Sequence, residues 1–184
     1  MNYGNIKYCD IADGVGVRTT LFVSGCTHHC PGCFQPETWD FNYGEPFTQE
    51  VQDRIIESLE PDFITGITVL GGEPMEPDNQ RALLPFLSRV RQTYPEKSIW
   101  VFTGDVFESL VDQASTRRTE ATDALLGCID VLVDGPFIES LKDISARFRG
   151  SSNQRLIDVP ASLEAGEVVE WQDPDQEFAN RGEW

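Results

Sequence analysis

An α/β fold with a mainly parallel sheet is predicted by two features of the sequence. Runs of β-branched residues alternate four times with helical patterns, and the residues best suited to bind a ligand each fall just after one of those runs. Length adds a third constraint: 184 residues are fewer than the roughly 200 that a closed eight-fold barrel takes. The expectation is therefore a partial, shortened β/α barrel of mainly parallel strands with helices outside.

Asp13-Gly14-Val15-Gly16 reads as a turn feeding a strand over 17–23, and residues 24–39 follow as a loop. Thr48 is suited to cap a helix over 49–59, whose Val51, Ile55, Ile56 and Leu59 share one face. A second strand over 67–70 ends at Gly71-Gly72-Glu73-Pro74. Pro77 opens a helix that reaches Tyr94 with Leu83, Leu84, Leu87 and Val90 as its apolar stripe. Residues 98–102 form the third strand, Thr103-Gly104-Asp105 its turn, and 106–113 the start of a helix. After a polar, Arg-containing stretch and a short helix over 122–126, the fourth strand spans 129–133 and stops at Asp134-Gly135-Pro136. Residues 147–149, 154–158 and 168–171 read as shorter extended segments, and 172–184 as an acidic surface tail. The chain divides into one domain over 1–158 and a C-terminal extension over 159–184.

With 40% hydrophobic and 24% charged residues the chain has the composition of an ordinary globular protein. Apolar runs as short as 131–133 fall far below the roughly 20 residues of a membrane helix. Met1-Asn2-Tyr3-Gly4-Asn5 lacks a signal-peptide pattern, so the expected compartment is the cytoplasm. A formal charge of −17, with three Lys against eleven Arg, repels phosphates and anionic lipids. Neither nucleic acid nor membrane is expected as a partner.

Five cysteines, an odd number, argue against a disulfide framework. Three of them fall within eight residues, Cys26-Thr27-His28-His29-Cys30-Pro31-Gly32-Cys33. Thiolates suit Fe–S clusters and zinc. Three thiols on a four-iron cubane would leave one iron open to polarise a substrate. The competing readings are a Cys3His zinc site using His28 or His29, and a redox pair at Cys30-x-x-Cys33. Zinc knuckles come as paired ligand sets, and no second pair is present. Cys9 and Cys128 are isolated and suit core positions.

The C-x3-C-x2-C loop after a first strand resembles the signature of the radical S-adenosylmethionine (SAM) superfamily. Within it the chain resembles the activating enzymes of anaerobic (class III) ribonucleoside-triphosphate reductase. The resemblance runs from Asp13-Gly14-Val15-Gly16-Val17-Arg18-Thr19-Thr20 through the cysteine loop with Thr38-Trp39 and through Gly71-Gly72-Glu73-Pro74. It continues in Trp100-Val101-Phe102-Thr103-Gly104, in Asp130-Val131-Leu132-Val133-Asp134-Gly135-Pro136-Phe137 and in Arg149-Gly150-Ser151-Ser152-Asn153-Gln154-Arg155. It covers about residues 1–158. Gly32 departs from the superfamily, where an aromatic often precedes the third cysteine; the activase group tolerates glycine there.

The resemblance implies a [4Fe–4S] cluster on Cys26, Cys30 and Cys33, SAM as the second cofactor, and a radical that abstracts hydrogen from one glycine of the large reductase subunit. It places Gly71, Gly72 and Glu73 at the SAM amino group, since glycines allow close approach and exposed carbonyls or Glu73 can accept from an ammonium. Thr103 and Asp134 would lie beside SAM, though each suits a capping role as well. Asn153 and Gln154 would face the side where SAM and the partner's glycine loop meet, or form a solvated turn. A low-potential electron donor such as a flavodoxin is a further expected partner. His28 and His29 read as loop residues that shield the cluster or contact the partner.

Overall fold

A computed structural model describes residues 1–173; the expected acidic tail lies outside the described residues from position 174 onward. Seven strands form one sheet: β1 (Asn2–Asp10), β2 (Val17–Val23), β3 (Glu45–Pro46), β4 (Ile64–Gly71), β5 (Ser98–Phe102), β6 (Val131–Asp134) and β7 (Arg155–Asp158). Their order is β3-β1-β2-β4-β5-β6-β7. The pairings β2·β4, β4·β5 and β5·β6 are parallel, while β1·β2, β1·β3 and β6·β7 are antiparallel. The sheet is thus parallel at its centre, as the alternation predicts, and antiparallel at both sides, which the alternation does not reveal.

Helices α1 (Gln49–Ser58), α2 (Pro77–Thr93), α3 (Phe107–Val111) and α4 (Thr122–Leu126) lie between the parallel strands in sequence. The Thr48 hydroxyl accepts from the Val51 N–H, as its capping role predicts. Strand side chains alternate between two faces. Leu21, Val23, Ile67, Val69, Ile99, Val101 and Leu132 join the helix residues Val51, Ile55, Leu83, Phe86, Leu87, Leu110 and Leu125 in one cluster. Trp100, Val131 and Val133 face the other way, against Val15, Phe102, Phe148, Leu156 and Trp171. All four crossover helices therefore cover one face, and the opposite face is left for loops and the site.

Residues expected to be irregular or extended differ in three places. β1 went unpredicted because none of its nine residues is buried and its register against β2 shifts twice, so it shows no two-residue apolar period. The segment 147–149 turns rather than extends, with Phe148 at φ 60° and Arg149 N–H donating to Ala146 O. Residues after 158 begin with helix α5 (Val159–Ala165), capped by Asp158 and ended by Gly166 at φ 72°. Val159 is fully buried in the main core, and Trp171 meets Trp100 at a ring separation of 5.0 Å.

Arg18 on β2 is also fully buried. Its guanidinium donates to Thr68 Oγ1 (2.7 Å), Ser98 Oγ (2.9 Å) and the carbonyls of Ile67 (2.7 Å), Ser98 (2.8 Å) and Val15 (3.2 Å). Burial lowers its pKa to about 10, opposed by Asp130 and Asp10, so it stays charged at neutral pH and stitches β2 to β4 and β5. Replacing Arg18 by Met removes every one of these donors. We expect a loss of about 3 kcal/mol in urea unfolding; a loss below about 1 kcal/mol would show that the strands hold without the stitch.

Candidate functional site

The carboxyl ends of the parallel strands meet at one edge, where α/β sheets bind ligands. There a cavity of about 400 Å³ is lined by Cys26, Cys30, Cys33, Gly71, Gly72, Glu73 and Thr103, with Phe34, Phe102, Phe137 and Phe148 supplying aromatic wall. Asp134 and Asn153 do not line it.

The cysteine loop is held by its neighbours' backbones. Gly25 and Cys26 donate to the carbonyls of Thr38 and Trp39, and the Glu73 N–H donates to Gly25 O at 2.8 Å. A Cβ on Gly72 would lie 2.6 Å from Gly25 O and 2.9 Å from Thr38 O, so the close meeting of these loops by itself requires glycine there. Gly32 adopts φ 72° and leaves room for the Glu139 side chain, whose Cδ would lie 2.8 Å from a Cβ. Both facts give a physical reason for glycine where an aromatic often stands.

Cys26 is buried, while Cys30 and Cys33 are partly exposed. Burial pushes the Cys26 thiol up to about 11; N–H donation from His28 and His29 opposes this, and Glu73 and Glu76 add to it. The Gln35 N–H donates to Cys33 Sγ at 3.4 Å. Sulfurs that accept backbone N–H groups suit a bound thiolate, and metal uptake would release the Cys26 proton.

A single tetrahedral zinc, with Zn–S near 2.3 Å, holds its sulfurs about 3.8 Å apart. Among the described residues, the group of three potential ligands gathered within 4.8 Å is His28, Glu73 and Asp105, and it includes no cysteine. The three loop thiols do not form such a group among the described residues. Nor is the His–Glu–Asp group open to a metal. Arg117 fills it, with Nε 3.0 Å from Asp105 Oδ1 and Nη2 3.1 Å from His28 Nε2.

Glu73 is 1% exposed; its carboxylate accepts three hydrogen bonds and makes one ion-pair contact. Oε1 takes the Met75 N–H (2.7 Å) and the Thr103 hydroxyl (2.8 Å); Oε2 takes the Gly104 N–H (2.7 Å) and faces His28 Nε2 at 3.0 Å. The Thr103 oxygen in turn accepts from the Asp105 N–H at 3.0 Å. Arg117 Nη1 pairs with Glu76 at 2.9 Å, and Glu76 Oε1 accepts both the N–H and the hydroxyl of Thr27. Hydrogen bonds to Asp105 and Glu73 raise His28 to about 10 against its burial. Its Nε2 faces Glu73 at 3.0 Å, Asp105 at 3.6 Å and Arg117 Nη2 at 3.1 Å, so His28 and Arg117 both sit among the three carboxylates Glu73, Asp105 and Glu76.

Asp134 is fully buried and receives the Phe107 N–H (2.8 Å) and Arg155 Nε (3.0 Å). It fastens β6 to α3 and β7 beneath the cavity. Asn153 Nδ2 donates to Pro136 O at 2.9 Å, and the Gln154 Oε1 receives the N–H groups of Gly150 and Ser151. Gln154 and Arg149, rather than Asn153, reach the cavity wall. Residues that sequence reasoning passed over include Glu76, Asn79 and Arg117, while His28, read as a loop residue, turns inward to Glu73. Asn79 is 1% exposed and donates to the carbonyls of Ser24 (3.0 Å) and Glu73 (2.9 Å). A signal for it exists: Asn79 and Gln80 precede Leu83 and Leu87 at the helical period, placing polar groups on a buried stripe.

Residues 12–157 match the family described as a 4Fe-4S single cluster domain. Relatives named anaerobic ribonucleoside-triphosphate reductase-activating protein occur in Escherichia coli K12 (44% identical), Vibrio cholerae (42%) and Enterobacteria phage T4 (36%). The matches cover 84%, 84% and 85% of this chain and 96%, 96% and 93% of the relatives. The match over residues 12–157, with three cysteines on one cavity, makes this a 4Fe-4S single-cluster-domain protein. In particular, the chain belongs to the family of anaerobic ribonucleoside-triphosphate reductase-activating proteins.

Asp13 also lines the cavity, and burial together with its hydrogen bond to Asp10 raises its pKa to about 7. A carboxyl raised above its unfolded value binds more protons folded than unfolded, so it lends stability at low pH that is lost as pH rises toward 7. Between pH 5.5 and 8 we expect Asp13→Asn to flatten the fall in urea-unfolding stability of the metal-free chain. An unchanged slope would show that Asp13 ionises normally.

Proposed function

We propose that this chain is a radical SAM activase that cleaves SAM reductively at a [4Fe–4S] cluster on Cys26, Cys30 and Cys33 and generates the glycyl radical of an anaerobic ribonucleoside-triphosphate reductase. The observation that carries this reading is that three of the five cysteines, and no fourth, line one cavity together with the glycine turn after β4. Three thiols on four irons leave one iron for a substrate, which a four-cysteine electron carrier lacks. The names of the relatives point to the same target.

When bound, cluster and cofactor supply a one-electron cleavage that yields methionine and a 5′-deoxyadenosyl radical, which takes a hydrogen atom from the partner's glycine. The chain's own residues bind, orient and exclude water. The cysteines hold the cluster, and N–H donation to Cys26 and Cys33 stabilises charge on sulfur. Gly71 and Gly72 line the cavity, and their carbonyls are the acceptors we assign to the ammonium. Phe34, Phe102, Phe137 and Phe148 give the cavity an apolar wall. In this reading the sheet, with helices on one face and the cavity on the other, is the shortened radical SAM barrel. Electrons come from a low-potential donor of flavodoxin type, and the reaction proceeds in the cytoplasm. No described helix is long and apolar enough to cross a membrane.

After anaerobic reconstitution and reduction, the protein should convert SAM to 5′-deoxyadenosine. Cys26→Ala, Cys30→Ala and Cys33→Ala should each lower that turnover at least about a thousandfold, while Cys9→Ala and Cys128→Ala leave it within twofold. Turnover that survives loss of any loop cysteine would defeat the assignment.

A further inference from the structure

We propose that His28 and Glu73 form a clamp that positions the cysteine loop, and that the Glu73 carboxylate is thereby spent on the protein rather than offered to a ligand's ammonium. The second half of this statement rests on the SAM-binding reading above; the clamp itself does not.

A carboxylate has about four acceptor positions. In Glu73 the first two go to the Met75 N–H and the Thr103 hydroxyl and the third to the Gly104 N–H, while His28 Nε2 stands against the remaining side as an ion-pair partner at 3.0 Å. At 1% exposure no water-filled side of the group remains. His28 occupies the middle of the three-residue gap between Cys26 and Cys30, and its ring rests on Gly104, where a Cβ would lie 2.7 Å from Cδ2. The neighbouring residue is fixed as well: both the N–H and the hydroxyl of Thr27 go to Glu76. Arg117, between Glu76 and Asp105, joins the two tethers. The backbone between the first two cysteines thus hangs from α2 and from the β5 turn by side chains alone. Each change in that clamp alters where Cys26 and Cys30 point. An ammonium in the cavity then meets backbone carbonyls rather than the Glu73 side chain.

Glu73→Gln tests this sharply, because an amide cannot accept from Gly104 N–H and His28 with its NH2 group. His28→Asn is the milder second variant, since the imidazole lies at the site's rim with 18% of its side chain exposed. Hydrogen exchange of the metal-free chain reads the loop directly: both variants should speed exchange at Thr27 to Cys30 at least tenfold, with the double variant no faster than either single one. In reconstituted protein, both should broaden the EPR spectrum of the reduced cluster, a signature that a general loss of stability would not produce. Among molecules that hold the cluster, the ratio of affinities for SAM and for methylthioadenosine, which lacks the amino-acid part, should stay within about twofold in Glu73→Gln. Unchanged exchange in both variants would overturn the clamp. A ratio that falls thirtyfold or more in Glu73→Gln, with His28→Asn silent, would return Glu73 to the ligand. Failure of the wild-type chain to take up a cluster or to respond to SAM counts against the proposed function instead, and exchange in the metal-free chain still decides the clamp.

Discussion

The edge of the sheet that carries the site depends on one buried carboxylate. Glu73 ends the turn after β4 and gathers the start of α2, the turn after β5 and the middle of the cysteine loop. A bare buried carboxylate is costly, and one that accepts three hydrogen bonds and pairs with an imidazole is not. Its desolvation is offset only if all three loops are in place, so forming one favours forming the others. The rest of the network follows the same rule: Asp105 and Glu76 are matched by His28 and Arg117, and Asn79 satisfies the carbonyls of Ser24 and Glu73.

The opposite half of the same strands is organised by a cation. Arg18 spends its donors on β4, β5 and the turn before β2, without a touching carboxylate. The parallel centre is therefore tied at one end by a buried arginine and at the other by a buried glutamate. Between them lies an apolar layer of Leu, Ile and Val covered by four helices on one face. That one-sided covering leaves the other face concave to loops, and there the cavity opens.

Much of this was legible in the sequence. The parallel centre announced itself through β-branched runs and helical stripes, and the cavity-lining loops through the residues at the strand ends. The cysteine spacing and the glycine turn located the cavity without the structure. What stayed hidden depended on contacts distant in the chain. β1 has no buried face to betray it, and β7 reads as one short extended segment among several. Asp134 looks like a ligand because it is a polar residue at a strand end; only the fold brings Arg155 and the Phe107 N–H to it. His28 likewise looks like a loop residue until Glu73, 45 positions away, is folded against it. Asn79 and Gln80, by contrast, sit on a readable stripe and needed only the question of why polar groups occupy it.

The proposed chemistry requires three thiols to serve four irons. Mössbauer spectroscopy of protein reconstituted with ⁵⁷Fe, recorded with and without SAM, tests that claim most directly. One iron in four should change its isomer shift when SAM is added, while the other three keep the signature of thiolate-bound sites. Four irons that ignore SAM, or a protein that takes up zinc in place of iron, would contradict it.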